Sequence, residues 1–167
     1  MKHYLKDIIL KLADAKVRFV IAGGVAVVLH GVERLTMDLD IALDFAPENV
    51  RRFLDVMKSL RMTPRAPVPP EILLDPEAIR MMIHEKHALV FTFQESCPPM
   101  RQVDVFLTAP LSFEPLSSDA AVIEVDGRRV MAVSAKRLLD LKRQVTPPRP
   151  KDLQDIDALI RIVEPPT

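Results

Sequence analysis

Cysteine is almost missing from this chain: Cys97 is the one copy in 167 residues. A lone thiol closes no internal disulfide, so the sequence predicts a reducing, cytoplasmic setting. No flanking motif marks Cys97, in ESCPP, as a nucleophile. Net charge is missing too, with 23 basic against 23 acidic residues. That balance excludes a stand-alone, high-affinity nucleic-acid binder and leaves room only for a local basic patch. No apolar run reaches the ~20 residues of a membrane-spanning helix. The opening MKHYLKDIILKL carries Asp7 and lacks a small-residue cleavage site, so it does not read as a signal peptide. There is no internal repeat. Glycine is scarce, four residues in all, and two of the four stand together at Gly23 and Gly24.

What is present is an ordinary globular composition, 49% hydrophobic and 28% charged, with enough length for one domain over residues 1–167. The chain is organised around FVIAGGVAVVLHGVERLTMDLDIALD, Phe19 to Asp44. Val17–Ile21 reads as a buried strand that Gly23 and Gly24 break. Val25–His30 is a short helix, and Gly31 ends it. A second strand follows over Met37–Phe45, in which Asp38, Asp40 and Asp44 alternate with Leu39, Ile41 and Leu43. Successive strand side chains point to opposite faces, so Asp38 and Asp40 share the face turned away from the core. Two adjacent carboxylates repel unless a cation neutralises them, and oxygen-only ligands suit Mg²⁺. The glycine pair lets backbone approach a ligand, and the N–H groups at the start of the following helix form an anion site. Together these parts make a device for a metal-bound polyphosphate.

The glycine pair, His30–Gly31 and RLTMDLDI at Arg34–Ile41 resemble the polymerase-β-type nucleotidyltransferase superfamily, and within it the small AbiEii-type, toxin-antitoxin-associated group. Many members carry Gly-Ser where this chain has Gly23–Gly24. The resemblance implies NMP transfer from an NTP to an acceptor hydroxyl, with RNA or protein favoured as acceptor. It implies two Mg²⁺ ions held by Asp38, Asp40 and a third carboxylate, Asp104. Gly23 and Gly24 would admit the triphosphate, with Arg34 and Thr36 beside it. LLDLK followed by RPKDLQDI is similar to the carboxy-terminal motifs of the same group. Lys142 then resembles the nucleotide-contacting lysine, and Asp152 and Asp155 the family acids. A cognate antitoxin or toxin is the implied partner.

Other readings of these residues stay open. Asp104 lies mid-strand in QVDVFL and also fits an edge-strand charge that blocks aggregation. Lys142 lies on the apolar stripe of SAKRLLDLKRQV, where it either reaches a phosphate or pairs with Asp152 or Asp155 to pin two helices. Arg34 fits a phosphate contact or a pair with a neighbouring acid. His30 reads as a packed helix-end histidine, and His84 and His87 as surface or substrate-facing residues without a third metal ligand. Residues 136–151 contain six basic residues and one acid, a patch for triphosphate or RNA backbone, or a solvated face.

The expected fold is α/β: a small mixed sheet of about four to six strands backed by helices, with a C-terminal helical pair over 133–167. Helices are expected over residues 2–15, 47–60 and 76–86. RMTPRAPVPP, residues 61–70, reads as an extended connector, and Pro64–Lys86 as a rim of the acceptor cleft. Strands are expected at Ala88–Phe93 and Gln102–Leu107. A hairpin turns at Asp126–Gly127. Ser134 caps the penultimate helix, and Leu153, Ile156, Leu159, Ile160 and Val163 form the buried stripe of the last. Three competing functions remain: a catalytically degenerate binding partner, an aminoglycoside-type small-molecule nucleotidyltransferase, and a structural protein with an acid-rich strand.

Overall fold

A computed structural model describes residues 3–98 and 100–164. Seven strands form one mixed sheet: β1 (Phe19–Ile21), β2 (Asp38–Leu43), β3 (Met62–Pro64), β4 (Val90–Glu95), β5 (Gln102–Phe106), β6 (Ala121–Val125) and β7 (Arg128–Ala132). Their order is β3-β4-β5-β2-β1-β7-β6. β2 runs antiparallel to β1 and parallel to β5, and β1 runs parallel to β7. The sheet therefore exceeds the expected four to six strands. The excess comes partly from β3, which lies inside the proline-rich stretch read as a connector. Proline lacks a donor N–H and is tolerated on a sheet edge, and β3 is the edge, with Pro64 its last residue. Five further residues, Pro70–Leu74, form a 3-10 turn.

The helices are α1 (His3–Asp14), α2 (Gly23–Leu29), α3 (Pro47–Ser59), α4 (Pro76–Lys86), α5 (Phe113–Ser117), α6 (Ala135–Arg143) and α7 (Pro150–Val163). The helix expected from residue 2 is seen from His3; residue 2 lies outside the described residues. α2 begins two residues earlier than expected, at Gly23 itself. Asp126 and Gly127 take the positive φ angles, 46° and 77°, that their hairpin turn requires. Ser134 caps α6 by accepting from the Arg137 N–H at 3.3 Å. Among the described residues no helix is long and apolar enough to cross a membrane.

One face of the sheet holds the core. Leu39, Ile41, Val103, Val105, Phe91 and Phe93 are buried there, in register across β2, β5 and β4. α3 covers this face, with Phe53 edge-on to Phe93 at 5.4 Å between ring centres. α1 adds Leu5, Ile8, Ile9 and Leu12 to the same core. By alternation, the opposite face carries Asp38 and Asp40 on β2, Asp104 on β5 and Thr92 on β4. Two strands thus anchor themselves in the core by one face and carry their carboxylates on the other.

Candidate active site

The Asp-x-Asp strand and the Asp104 strand are neighbours, and Asp40 lies directly opposite Asp104 in the parallel ladder. A parallel pair in register places side chains of one face about 5 Å apart. Asp38, Asp40 and Asp104 line one cavity of about 370 Å³, together with Gly23, Gly24, Arg34 and Thr36. The strand and loop residues read as the site, Asp38, Asp40, Asp104, Gly23, Gly24, Arg34 and Thr36, therefore meet at one place. Burial is the first cause that raises the Asp40 pKa to about 6; repulsion from Asp104 and then Asp38 adds to it, while Lys142 and Lys151 oppose. The Asp38 pKa is raised by burial and by Asp104, against Lys151. Thr92 donates its hydroxyl to Asp104 Oδ1 at 2.6 Å and so fixes that carboxylate.

Gly23 explains how Asp40 fits. Its φ is +57°, and a Cβ built there would stand 1.9 Å from Asp40 Oδ2. The carboxylate rests on bare backbone. Gly23→Ala combines a left-handed backbone with a steric clash, so a stability loss of about 2 kcal/mol is expected. Displacement of Asp40 should also remove activity; a variant with unchanged melting temperature and activity would contradict this packing. Gly24 meets different neighbours: a Cβ would stand 2.8 Å from Thr36 Oγ1 and 3.1 Å from Arg34 Cζ. α2 has only seven residues and no side-chain cap, so the anion site expected at its start receives little from a helix dipole. The positive charge comes from elsewhere.

It comes from the helical pair. Lys142 Nζ lies 2.8 Å from Asp152 Oδ1 and 2.8 Å from Asp155 Oδ2. Arg34 Nη1 reaches Asp155 Oδ2 at 2.5 Å, and Arg149 Nε reaches Asp152 Oδ2 at 2.6 Å. Both acids are buried, at 0% and 2% exposure, whereas Leu153 is 51% exposed. This corrects the expected stripe of α7: the acids take the inner face and Leu153 the outer. Their side chains can be buried because three cations satisfy them. The Asp152 carboxyl is held well below the usual range, first by the Arg149 hydrogen bond and then by the one from Lys142. Lys142 thus pins two helices and also lines the carboxylate cavity, beside Arg149 and Lys151. Asp152 itself does not line that cavity; it borders an adjoining, mostly apolar one of about 290 Å³ that shares Gly23, Lys142 and Arg149.

The sequence did not single out Arg149 and Lys151 from the basic run. Of that run, Arg137 is held by Asp119 at 2.8 Å, and Lys136 and Arg143 are exposed. Thr92 was missed as well, although ALVFTF puts it on the face opposite Phe91 and Phe93. His30 is a packed residue, its Nε2 donating to the Val133 carbonyl at 2.8 Å. Cys97 is exposed.

No ion pair among the described residues involves Asp38, Asp40 or Asp104, in contrast to Asp152 and Asp155. Among the described residues no three His, Cys, Asp or Glu side chains are grouped closely enough to hold a metal ion as they stand. Asp38, Asp40 and Asp104 nevertheless present three carboxylates on one sheet face, two of them with raised pKa, and oxygen donors of that kind suit a hard cation.

The sequence profile described as "Nucleotidyl transferase AbiEii toxin, Type IV TA system" matches residues 4–167. No curated protein sequence matches. Among solved structures, the lincomycin-bound lincosamide antibiotic adenylyltransferase LnuA is similar, with a TM-score of 0.64, 16% identity and coverage of 97% of this chain and 98% of that one. ANT(2")-Ia in complex with adenylyl-2"-tobramycin gives 0.61 and 14%, covering 96% and 90%. An antigenic nucleotidyltransferase-like protein from Paracoccidioides brasiliensis gives 0.61 and 15%, covering 95% and 74%. At these identities the structures speak to the fold, which they share, and the family match speaks to the chemistry: this chain belongs to the AbiEii nucleotidyl transferase toxin family.

Proposed function

We propose that this nucleotidyltransferase moves an NMP from an NTP to an acceptor hydroxyl with the help of Mg²⁺ held by Asp38, Asp40 and Asp104. The observation that carries the metal is the contrast between the two sets of acids. Asp152 and Asp155 are neutralised by protein cations, whereas the three strand aspartates repel one another in a shared cavity. Two bound Mg²⁺ ions would supply charge stabilisation at the phosphoryl oxygens and a lowered pKa for the attacking hydroxyl.

The chain's own residues divide the remaining work. Lys142, Arg149 and Lys151 face the cavity and balance the triphosphate charge, with Arg34 and Thr36 on the Gly24 side. The adjoining apolar cavity, walled by Phe106, Leu138 and Leu141, takes the nucleoside. Thr92 donates to Oδ1 of Asp104 and so orients that carboxylate toward the cavity it shares with Asp38 and Asp40; the proton of the acceptor hydroxyl passes to water. The acceptor oxygen bonds to the α-phosphorus, the bond to the bridging oxygen breaks, and pyrophosphate leaves. A cytoplasmic setting and a cognate antitoxin belong to the same proposal; the family's toxin description supports the second.

Thermal melts test it without knowledge of the acceptor. A ligand that binds only the folded state stabilises it by about 2.7 kcal/mol at a hundredfold excess over Kd. Millimolar Mg²⁺ with the preferred NTP should therefore raise the melting temperature by several degrees, and Mg²⁺ alone by less. If none of the four NTPs produces a shift, the catalytically degenerate partner is the better reading.

A further inference from the structure

We propose that a third cavity, at the outer edge of β4, is the acceptor site, and that it takes a small amphipathic alcohol: an apolar body of metabolite or drug size ending in a hydroxyl. The proposal rests on the transferase reading above. β3 ends at Pro64, opposite Phe93, and the Arg65 N–H still donates to the Thr92 carbonyl at 2.9 Å. Beyond that point no strand among the described residues flanks the outer edge of β4. The connector and α4 stand off from it and enclose about 750 Å³, within the ~300–1,000 Å³ of small-molecule sites.

The lining selects the chemistry. Ten of the fourteen lining residues are apolar, among them Val68, Ile72, Met82, Val90 and Phe91. The charged ones are Arg65, Lys86 and Glu85, a net charge of one. RNA recognition needs several cations along a backbone track and exposed aromatic faces for stacking. Here Phe91 is the one aromatic ring, and it is 4% exposed. Methionines adapt to irregular apolar shapes, and Met81 and Met82 form the α4 wall. α4 buries none of its residues, and Met81, Leu89 and Val90 leave apolar surface open around the cavity. This surface has the character of a binding wall rather than a finished core.

Thr92 joins the cavity to the chemistry. It lines the cavity, and its hydroxyl holds Asp104. Asp104 is one strand away, about 5 Å. A hydroxyl at the Thr92 wall is therefore placed beside the carboxylate that Thr92 holds; its oxygen bonds to the α-phosphorus as its proton passes to water and pyrophosphate departs. The segment Pro64–Lys86 divides between two roles. The 3-10 turn packs on α3, with Leu73 buried on the core side remote from Asp38, and adds Ile72 to a cavity wall formed mainly by Ala66–Val68 and α4.

The test supplies the full chain with Mg²⁺, α-labelled NTPs and whole-cell lysate, then separates RNA, protein and solvent-extractable small molecules. The label should enter the extractable fraction. Val90→Lys puts a charge into the apolar wall at a half-exposed position, and Ala78→Trp fills the cavity from α4. Each should reduce that labelling at least tenfold while the thermal shift with Mg²⁺ and NTP is kept, which also shows that each variant is folded. Label in RNA or protein, label undiminished by both variants, or no label in any fraction while the wild-type shift persists, overturns the acceptor site. Loss of the wild-type shift itself overturns the transferase reading beneath it, and the acceptor site with it.

Discussion

Asp40→Asn should lower nucleotidyl transfer a thousandfold or more, yet raise the melting temperature of the metal-free protein. The two effects share one cause. Asp40 sits between Asp38 and Asp104 in a half-dry cavity, and its pKa is raised to about 6. Asparagine keeps the volume and removes the charge. Transfer should fall because the proposed metal site loses a carboxylate, and metal stabilisation of phosphoryl charge amounts to several kcal/mol. Stability changes with a definite sign. A carboxyl whose folded-state pKa lies above its unfolded value of 3.8 binds its proton more tightly when folded. Its contribution is fully present below the unfolded pKa and is lost as pH rises through about 6. Wild type at pH 8 has lost it, whereas the asparagine variant never had the charge. The variant's advantage should be about 1–3 kcal/mol at pH 8 and should shrink to nothing below about pH 4. Melts in EDTA across this range measure it directly. An advantage that is absent, or that grows on acidification, would contradict the clustering of the three acids.

Lys142→Ala should be the most destabilising change in the helical pair. It strips a shared cation from two buried acids, Asp152 and Asp155, each left with one arginine. Breaking a buried pair costs about 3–5 kcal/mol, or roughly 6–20 °C in a chain of this size. Because Lys142 also lines the carboxylate cavity, NTP affinity of the still-folded variant should fall at least tenfold. Calorimetry and nucleotide titration on the same preparation separate the roles. Lower stability with unchanged affinity would leave Lys142 a helix staple and nothing more. Acid should narrow the difference between variant and wild type. Asp152 has a lowered folded-state pKa, so its stabilisation is present above the unfolded value of 3.8 and fades as pH falls below it.

The carboxylate site was legible in the sequence because strands have a period of two. Leu39 and Ile41 had to face the core, which left Asp38 and Asp40 one direction to point. The same alternation in Val103-Asp104-Val105 gave Asp104 its face, and only the pairing of β2 with β5 was needed to bring the three together. The inner face of α7 was not legible. Leucine at 153 fits an apolar stripe better than aspartate at 152 or 155 until Arg34, more than a hundred residues away in sequence, is known to reach Asp155. Long-range charge pairing overrode the hydrophobic pattern there. β3 was hidden for a different reason: four prolines dominate residues 61–70, and an edge position is where a strand can tolerate one. The cavity beside β4 was hidden too, since it arises from where β3 stops.

Gly24 makes room for two neighbours at once. The Thr36 hydroxyl stands 2.8 Å from the point a side chain at 24 would first occupy, with the Arg34 guanidinium carbon 3.1 Å away. Acquiring serine at 24 alone would crowd both groups, and losing Thr36 alone would leave the cavity without a hydroxyl on that side. Substitutions at positions 24 and 36 should therefore be non-additive in a double-mutant cycle. A hydroxyl carried on the irregular segment 32–37, instead of on a helix, also ties this corner of the site to a loop that can drift in length and sequence. Changes to that loop should therefore alter this corner of the site while the strands that carry the acids stay as they are.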